Sequence, residues 1–122
     1  GCVSVNRMSS DSTDVVTGKW TDGRIGTFRG LQQGKPNYGG TAFTSTGIFP
    51  VGTYSGYEFL LSEILKFFRT RVAPVSEKET VEIFTFMEAS NESKRKGGKI
   101  ISMDEIYRKG VKDAQKLIRR LK

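Results

Sequence analysis

The sequence predicts an α+β fold, in which three helices cover one face of a small, mostly antiparallel open sheet. The first half of the chain carries short β-type runs separated by turn residues, and the second half carries apolar side chains at helical spacing. Three S-x-x-E capping boxes in the second half are typical of helix starts. We therefore expect a single domain over residues 1–122, with the sheet in residues 2–53 and helices at 56–70, 76–96 and 103–121.

The clearest strand signal is a hairpin around Asp22-Gly23. Asp-Gly between two β-type runs favours a two-residue turn, because both turn residues must tolerate positive φ. Such a loop would place Trp20 opposite Ile25 across the two strands. Gly18 and Gly26 lie inside these strands, where glycine marks a bulge or the close approach of another group. We expect a bulge.

Each predicted helix begins with its own capping box. The pairs are Ser55 with Glu58, Ser76 with Glu79, and Ser102 with Glu105. The second helix is predicted to end at Gly97, because a left-handed residue commonly closes a helix and glycine adopts that conformation without strain. Lys94, Arg95 and Lys96 would then lie at the negative end of the helix dipole. This cluster of cations therefore has a local structural reason that requires no ligand.

The composition excludes several kinds of chemistry. The chain has no His and one Cys, so it lacks the commonest general base near neutral pH and cannot build a thiolate zinc site. We predict no catalytic residue and no metal site within it. No segment approaches the ~20 apolar residues that span a bilayer, so we also predict no membrane partner.

The net charge of +7 is concentrated near the end of the sequence. Residues 94–122 carry eleven Lys or Arg and three Asp or Glu. Residues 1–93 carry nine Lys or Arg and ten Asp or Glu. This asymmetry permits an alternative function, a stand-alone basic binding module that uses the final helix on nucleic acid or acidic partners. Nucleic acid is the weaker form of that alternative, because no aromatic residues are interleaved on the cationic face to stack on bases.

Two segments resemble a known enzyme family. They are TDVVTGKWTDGRIGTFRG, together with YGGTAF, and APVSEKETVEIFTFMEASNESKRKGGK. In the second, a Pro-Val, a capping box, an apolar helix with Met-Glu-Ala, a Glu-Ser-Lys and paired glycines follow one another. Both are similar to the C-terminal part of the Gfo/Idh/MocA family of NAD(P)-dependent oxidoreductases, which includes glucose-fructose oxidoreductase and inositol dehydrogenase.

The resemblance implies a divided enzyme. Members of this family have an N-terminal Rossmann domain that binds NAD or NADP, followed by a domain with an open, mostly antiparallel sheet. The second domain closes over a sugar-like substrate and commonly forms a homo-oligomer through its sheet face. The chain resembles only the later portion of that second domain, and it has no G-x-G-x-x-G motif, no Glu-Lys-Pro-type catalytic lysine segment and no Asp-x-x-x-His motif. We therefore expect a fragment that lacks the Rossmann domain and is catalytically incomplete alone.

The resemblance assigns no catalytic and no cofactor-binding residue to this chain, so candidate substrate contacts are chosen by side-chain type. Arg29 lies near a strand end, and Lys35 and Tyr38 lie in the Gly-rich loop that follows. Cationic and phenolic donors suit the hydroxyl or carboxylate groups of a sugar-like molecule. These three residues are the predicted substrate-binding residues.

Overall fold

The computed structural model describes residues 1–35 and 37–121 and confirms the α+β class. Its elements, in chain order, are β1 (Cys2–Ser9), β2 (Thr13–Trp20), β3 (Ile25–Leu31), β4 (Gly40–Thr44), β5 (Gly47–Val51), α1 (Glu58–Thr70), α2 (Glu77–Arg95), β6 (Ile101–Ser102) and α3 (Met103–Arg120). Contacts divide the chain into two compact units. We call them the sheet unit, Gly1–Gln33 with Glu77–Lys122, and the hairpin unit, Gly34–Ser76.

The sheet unit contains a four-stranded antiparallel sheet in the order β3-β2-β1-β6. The predicted sheet extended to residue 53, but β4 and β5 pair only with each other, in a separate two-stranded sheet. Their backbone groups are satisfied locally, because the short turn between Thr44 and Gly47 returns the chain directly along itself. The second edge of β1 is occupied instead by β6, which follows α2 in the sequence.

The β2–β3 hairpin forms where predicted, but its register differs by one residue. Lys19 lies opposite Ile25, and Trp20 donates its backbone N–H to the Arg24 carbonyl at 2.9 Å. The loop therefore has three residues, and of its Asp-Gly pair only Gly23 has a positive φ, at 86°. A three-residue loop needs just one left-handed residue. The Asp22 carboxylate stabilises this turn by accepting from the Arg24 N–H and from its Nε.

The core lies between one face of the sheet and the helices α2 and α3. It consists of Val5, Val16, Ala89, Ile101, Met103 and Ile106, all buried. Because side chains alternate along a strand, Asp14, Val16 and Gly18 of β2 share this covered face. The opposite face of the sheet, which we call the open face, carries polar residues together with Met8 and Ile25, whose side chains are exposed.

The two strand glycines accommodate aromatic rings, so the predicted bulge is wrong at these positions. The β2–β3 register is unbroken where Gly18 faces Gly26. A Cβ at Gly18 would lie 2.7 Å from the Phe86 ring and 2.9 Å from the Trp20 ring. Those two rings stack with centroids 6.2 Å apart. The only register shift recorded in the described strands lies on β1, between Cys2 and Ser4.

The predicted end of α2 is confirmed. Gly97 has a φ of 69° and donates its N–H to the Lys94 carbonyl, while Gly98 donates to the Ser93 carbonyl at 2.8 Å. This pair of bonds is a Schellman motif. Lys94, Arg95 and Lys96 each form an ion pair with a carboxylate of the sheet unit, which supports a structural reason for this cluster.

Of the predicted capping boxes, the first is wrong and the last is confirmed in part. The Ser102 hydroxyl accepts the Glu105 N–H at the start of α3. By contrast, α1 begins at Glu58 with Tyr57 as its N-cap and has no side-chain cap. Ser55 precedes Gly56, whose φ of 96° turns the chain out of the helical path. The helix can therefore start only after that residue.

The hairpin unit carries many exposed apolar side chains. No residue of α1 is buried, and Phe59 and Phe68 are among its most exposed side chains. Three tyrosine rings form a local cluster. The ring centroid of Tyr54 lies 6.2 Å from that of Tyr38 and 5.7 Å from that of Tyr57. Within residues 1–35 and 37–121, no helix combines the length and the apolar character needed to cross a membrane.

Candidate functional site

A cleft of about 470 Å³ lies between the sheet and α2 in the sheet unit and is lined by both apolar and polar side chains. Phe28, Phe86 and Met87 supply apolar side chains, and Val16 and Gly30 belong to its sheet side. Its polar lining residues are Arg7, Asp14, Gln32, Ser90 and Asn91. A mostly apolar cavity with a few convergent polar groups is the usual form of a small-molecule site. We call it the β–α2 cleft.

Strand alternation brings the polar groups of the cleft together. Asp14 and Val16 lie two residues apart on the covered face of β2, and Arg7 of β1 pairs directly with Val16. Gln32 follows β3 and is held beside β2 because its N–H donates to the Ser12 carbonyl at 2.8 Å. Three separate strands and α2 therefore contribute to one site.

The Asp14 carboxylate is the centre of this polar group. Its Oδ1 accepts from Arg7 Nε at 2.9 Å and from the Ser9 hydroxyl. Its Oδ2 accepts from Gln32 Nε2 at 2.8 Å and lies 2.9 Å from Arg7 Nη2. The Arg7 guanidinium thus forms a bidentate ion pair with the carboxylate, and this geometry fixes the orientation of both side chains. The ammonium group of Lys94 lies farther away, with its Nζ 3.8 Å from Asp14 Oδ1.

These contacts favour the ionised carboxylate. The Arg7, Ser9 and Gln32 side chains donate to it and hold the pKa of Asp14 well below its ordinary value of 3.8. Asp14 is therefore fully ionised near neutral pH and cannot act as a general base there with useful proton affinity. Its role in the cleft is to orient Arg7 and Gln32.

The lowered pKa of Asp14 predicts a specific pH dependence of stability. A group whose folded pKa is depressed stabilises the fold above its unfolded pKa, and this contribution is lost as the pH falls through the folded pKa. We expect Asp14→Asn to be less stable than the wild type at pH 6, with the difference narrowing below about pH 4. Urea unfolding of both proteins at several pH values measures this difference in the free energy of unfolding. A difference that stays constant down to pH 2 would contradict the ionised, hydrogen-bonded carboxylate.

Two amide groups remain for a ligand. Arg7 Nη1 donates to Asn91 Oδ1 at 3.1 Å, and Gln32 donates its amide nitrogen to Asp14. Within the described residues these bonds leave the Asn91 amide nitrogen as a donor and the Gln32 amide oxygen as an acceptor. The rings of Phe28 and Phe86 line the same cleft as these two amides. Apolar faces next to paired donors and acceptors suit a molecule that carries both C–H surfaces and hydroxyl groups.

The sequence-predicted substrate residues lie elsewhere. Arg29 is exposed on the open face of β3, where it pairs with Val15. Lys35 and Tyr38 are exposed in the hairpin unit, and the ring of Tyr38 contacts that of Tyr54. None of the three lines the β–α2 cleft. The assignment of these residues to substrate stays a prediction.

The residues of the cleft were missed because most of them are distant in sequence. One signal was nevertheless present. Asp14 alternates with Val16 and Gly18 in TDVVTGKW, so it occupies an inward position of a strand. A carboxylate at such a position must find partners, because an unpaired buried charge is costly. Nothing in the local sequence identifies Arg7, Gln32 or Asn91 as neighbours of this carboxylate.

Other chemistry finds little support in the described residues. The strands that they form pair antiparallel in both sheets, whereas a dinucleotide is usually bound by a parallel strand–helix–strand unit, and the expectation that this chain binds no NAD or NADP stays a prediction. Over the same residues there is no group of three His, Cys, Asp or Glu side chains able to hold a metal ion. Burial raises the pKa of the Cys2 thiol, which disfavours the nucleophilic thiolate.

Comparisons of the chain with protein-family models, with curated proteins and with solved structures found no match. The resemblance to the Gfo/Idh/MocA family therefore depends on the residues of the two quoted segments alone.

Proposed function

We propose that this chain is the substrate-side and oligomerisation domain of an NAD(P)-dependent sugar or polyol oxidoreductase. It holds the substrate, and a Rossmann domain supplies the NAD or NADP that exchanges hydride with it. The observation that carries the proposal is the β–α2 cleft, with its aromatic side chains and its oriented amide groups.

The two segments that carry the family resemblance also build this cleft. Residues 13–30 supply Asp14, Val16, Phe28 and Gly30, and residues 73–99 supply Phe86, Met87, Ser90 and Asn91. Arg7 and Gln32 complete the polar lining from outside the two segments. The cleft therefore lies mainly within the part of the chain that resembles the family, which supports the substrate-side function.

The chain contributes binding rather than chemistry. Asp14 is held ionised by Arg7, and the sequence contains no His to transfer a proton. The residues of the cleft can position hydroxyl groups and exclude water from one side of a bound sugar ring. A hydride acceptor and a proton-transfer residue must come from the cofactor-binding domain.

The open face of the sheet is the proposed oligomer interface. Met8 and Ile25 are 63% and 69% exposed on it, among polar side chains such as Asn6, Thr17 and Thr27. A second copy related by two-fold symmetry would bury both apolar residues twice in one contact. Interfaces of this mixed composition are common between protein subunits.

A titration with a cyclic polyol, inositol, tests the proposed cleft. We expect inositol to shift the NMR signals of the Gln32 and Asn91 side-chain amides. We expect Gln32→Leu to weaken binding roughly threefold to tenfold, because one hydrogen bond of ordinary strength is lost. The matched control is Gln33→Leu, since Gln33 is the neighbouring glutamine and does not line the cleft.

Three results of this titration would contradict substrate binding in the β–α2 cleft. The first is the absence of shifts at saturating inositol, and the second is an equal loss of affinity in the two glutamine variants. The third is a set of shifts confined to the backbone signals of Arg29, Lys35 and Tyr38, which would transfer substrate binding to the residues predicted from the sequence.

The alternative, a basic binding module, has less support. Among the cations of α3, Arg108 forms an ion pair with Asp104, and Lys116 forms one with Asp113. These contacts reduce the positive potential that a polyanion would meet, and no aromatic residue is interleaved with the cations to stack on bases.

A further inference from the structure

A second apolar surface of the sheet unit is a groove between α2 and α3. It consists of two clefts of about 610 and 630 Å³ that share Val81, Thr85 and Tyr107. Phe84 and Val111 add further apolar side chains. We call it the α2–α3 groove. It is separate from the β–α2 cleft, with which it shares no lining residue.

The α2–α3 groove is acidic as well as apolar. The charged residues that line it are the acids Glu77, Glu82, Glu88, Asp104 and Asp113 and the cations Lys78 and Lys109. Glu88, Asp104 and Asp113 also form ion pairs within the same copy, with Arg95, Arg108 and Lys116, so an incoming cation would exchange with these partners. Its apolar side chains are largely uncovered, since Phe84 is 65% exposed and Tyr107 is 51% exposed. An apolar groove with an acidic rim is complementary to an amphipathic helix that carries positive charge.

The chain itself contains such a helix segment. Residues 115–121, which we call the α3 tail, read QKLIRRL and carry three cations and no acid. Leu117, Ile118 and Leu121 are all exposed, and the buried residues of α3 are only Met103 and Ile106, near its start. The tail therefore presents apolar side chains that nothing in the described sheet unit covers.

We propose that the α2–α3 groove of one copy receives the α3 tail of a second copy, so that two copies exchange tails in a symmetric dimer. The tail's apolar residues would pack on Phe84, Tyr107 and Val111, and its cations would approach the acidic rim. Because each copy has both the groove and the tail, the contact is self-complementary and closes on itself. This interface differs from the one proposed on the open face of the sheet.

The dimensions fit this exchange. Seven helical residues span roughly 10 Å, whereas the stretch of α2 that lines the groove, residues 77–88, spans roughly 18 Å. Gly110 lines the groove on α3, and a Cβ added there would meet nothing within 4 Å. The missing side chain allows an incoming helix to approach the α3 backbone closely.

Sedimentation velocity over a range of concentrations tests the exchange. With the open face disabled by Ile25→Lys, the protein is expected to shift from 13.6 kDa towards twice that mass, and the shift should weaken as salt is added, because the proposed contact pairs unlike charges. Leu117→Asp and Gly110→Trp should each raise the dimer dissociation constant at least about tenfold. The first removes an apolar contact of the tail, and the second fills the groove.

Two control variants distinguish this interface from a dimer formed through the sheet and from a general effect of substitution. Gly110→Ala adds a side chain too small to block the groove and should keep the dimer. Ile25→Lys weakens the separate contact proposed on the open face of the sheet and should leave the exchanged-tail dimer intact. All four substitutions lie at exposed or open positions, so circular dichroism should show an unchanged fold.

Several outcomes would overturn the exchange. They are a wild type that stays monomeric at every concentration, a dimer that Ile25→Lys abolishes while Leu117→Asp keeps it, and a dimer indifferent to Gly110→Trp. A monomer that binds anionic vesicles through the α3 tail would overturn it as well and would identify a lipid surface as the occupant.

Discussion

Replacing Ser93 with alanine is expected to lower the free energy of unfolding by about 2–4 kcal/mol, although the change removes a single oxygen atom. Ser93 is fully buried on α2. Its hydroxyl accepts the Arg7 N–H at 2.8 Å and donates to the Lys99 carbonyl at 2.7 Å. Alanine would leave both backbone groups without this partner, and each part-buried group left unpaired costs about 1–2 kcal/mol, the lower part of the usual range.

The position of Ser93 explains why so much depends on one hydroxyl group. It connects β1 to the segment that follows α2, and that segment returns as β6 to pair with β1. The loss of both hydrogen bonds would loosen the edge of the sheet as well as the end of α2. Arg7, which orients Asp14 in the β–α2 cleft, has its backbone anchored by this same bond.

A matched control lies one turn earlier on the same helix. Ser90 is also buried, but no hydrogen bond from its side chain is recorded in the described residues. Ser90→Ala should therefore change stability by less than about 0.5 kcal/mol, because alanine is also the better helix former. The midpoint of urea unfolding measures both variants. Equal losses in the two would show that burial, and not hydrogen bonding, sets the contribution of Ser93.

The features that the sequence predicted correctly depend on neighbouring residues. Gly97 ends α2 because a left-handed residue is needed at that point, and Ser102 caps α3 because its hydroxyl reaches an amide three residues ahead. The hairpin around Asp22-Gly23 is equally local. Each of these rules acts within one turn of backbone, so a single sequence contains the necessary information.

The features that the sequence did not predict are of two kinds. One is the choice between two similar turn geometries, and the other is contact between segments that are distant in the sequence. Two-residue and three-residue loops both accept Asp-Gly, and the Asp22–Arg24 contact that accompanies the longer loop is recognisable only in the folded turn. The β–α2 cleft requires Asp14 to meet Arg7, Gln32 and Asn91 across three strands and a helix. Periodicity predicts which face of a strand is covered but not which side chain covers it.

Gly18 is another residue whose long-range contacts could not be predicted from the sequence. Its replacement by valine is the second substitution for which we expect a large loss of stability. Glycine in a strand suggested a bulge, whereas the residue provides room for two aromatic rings. Gly18→Val should destabilise the protein by about 3 kcal/mol, at the upper end of the usual cost of overpacking. A Cβ there would lie 2.7 Å from Phe86 and 2.9 Å from Trp20, so both rings would have to move.

Gly26→Val is the matched control, because Gly26 lies directly opposite Gly18 in the same hairpin. Its Cβ would approach only Trp20, at 3.2 Å, and that ring can yield slightly. We expect a change below about 1 kcal/mol, since valine is also the better strand former. Trp20 is the only tryptophan, so its fluorescence can report the urea unfolding of both variants.

A double-mutant cycle identifies the ring responsible for the cost of Gly18→Val. Phe86→Leu removes the closest ring and should by itself destabilise the core, yet in combination with Gly18→Val it should recover at least about 1 kcal/mol of the expected sum. Strict additivity would show that Phe86 does not clash with the new side chain. The cycle also connects packing to function, because Phe86 lines the β–α2 cleft. If Gly18→Val displaces this ring, inositol binding should weaken even in molecules that remain folded, while Gly26→Val should leave it unchanged.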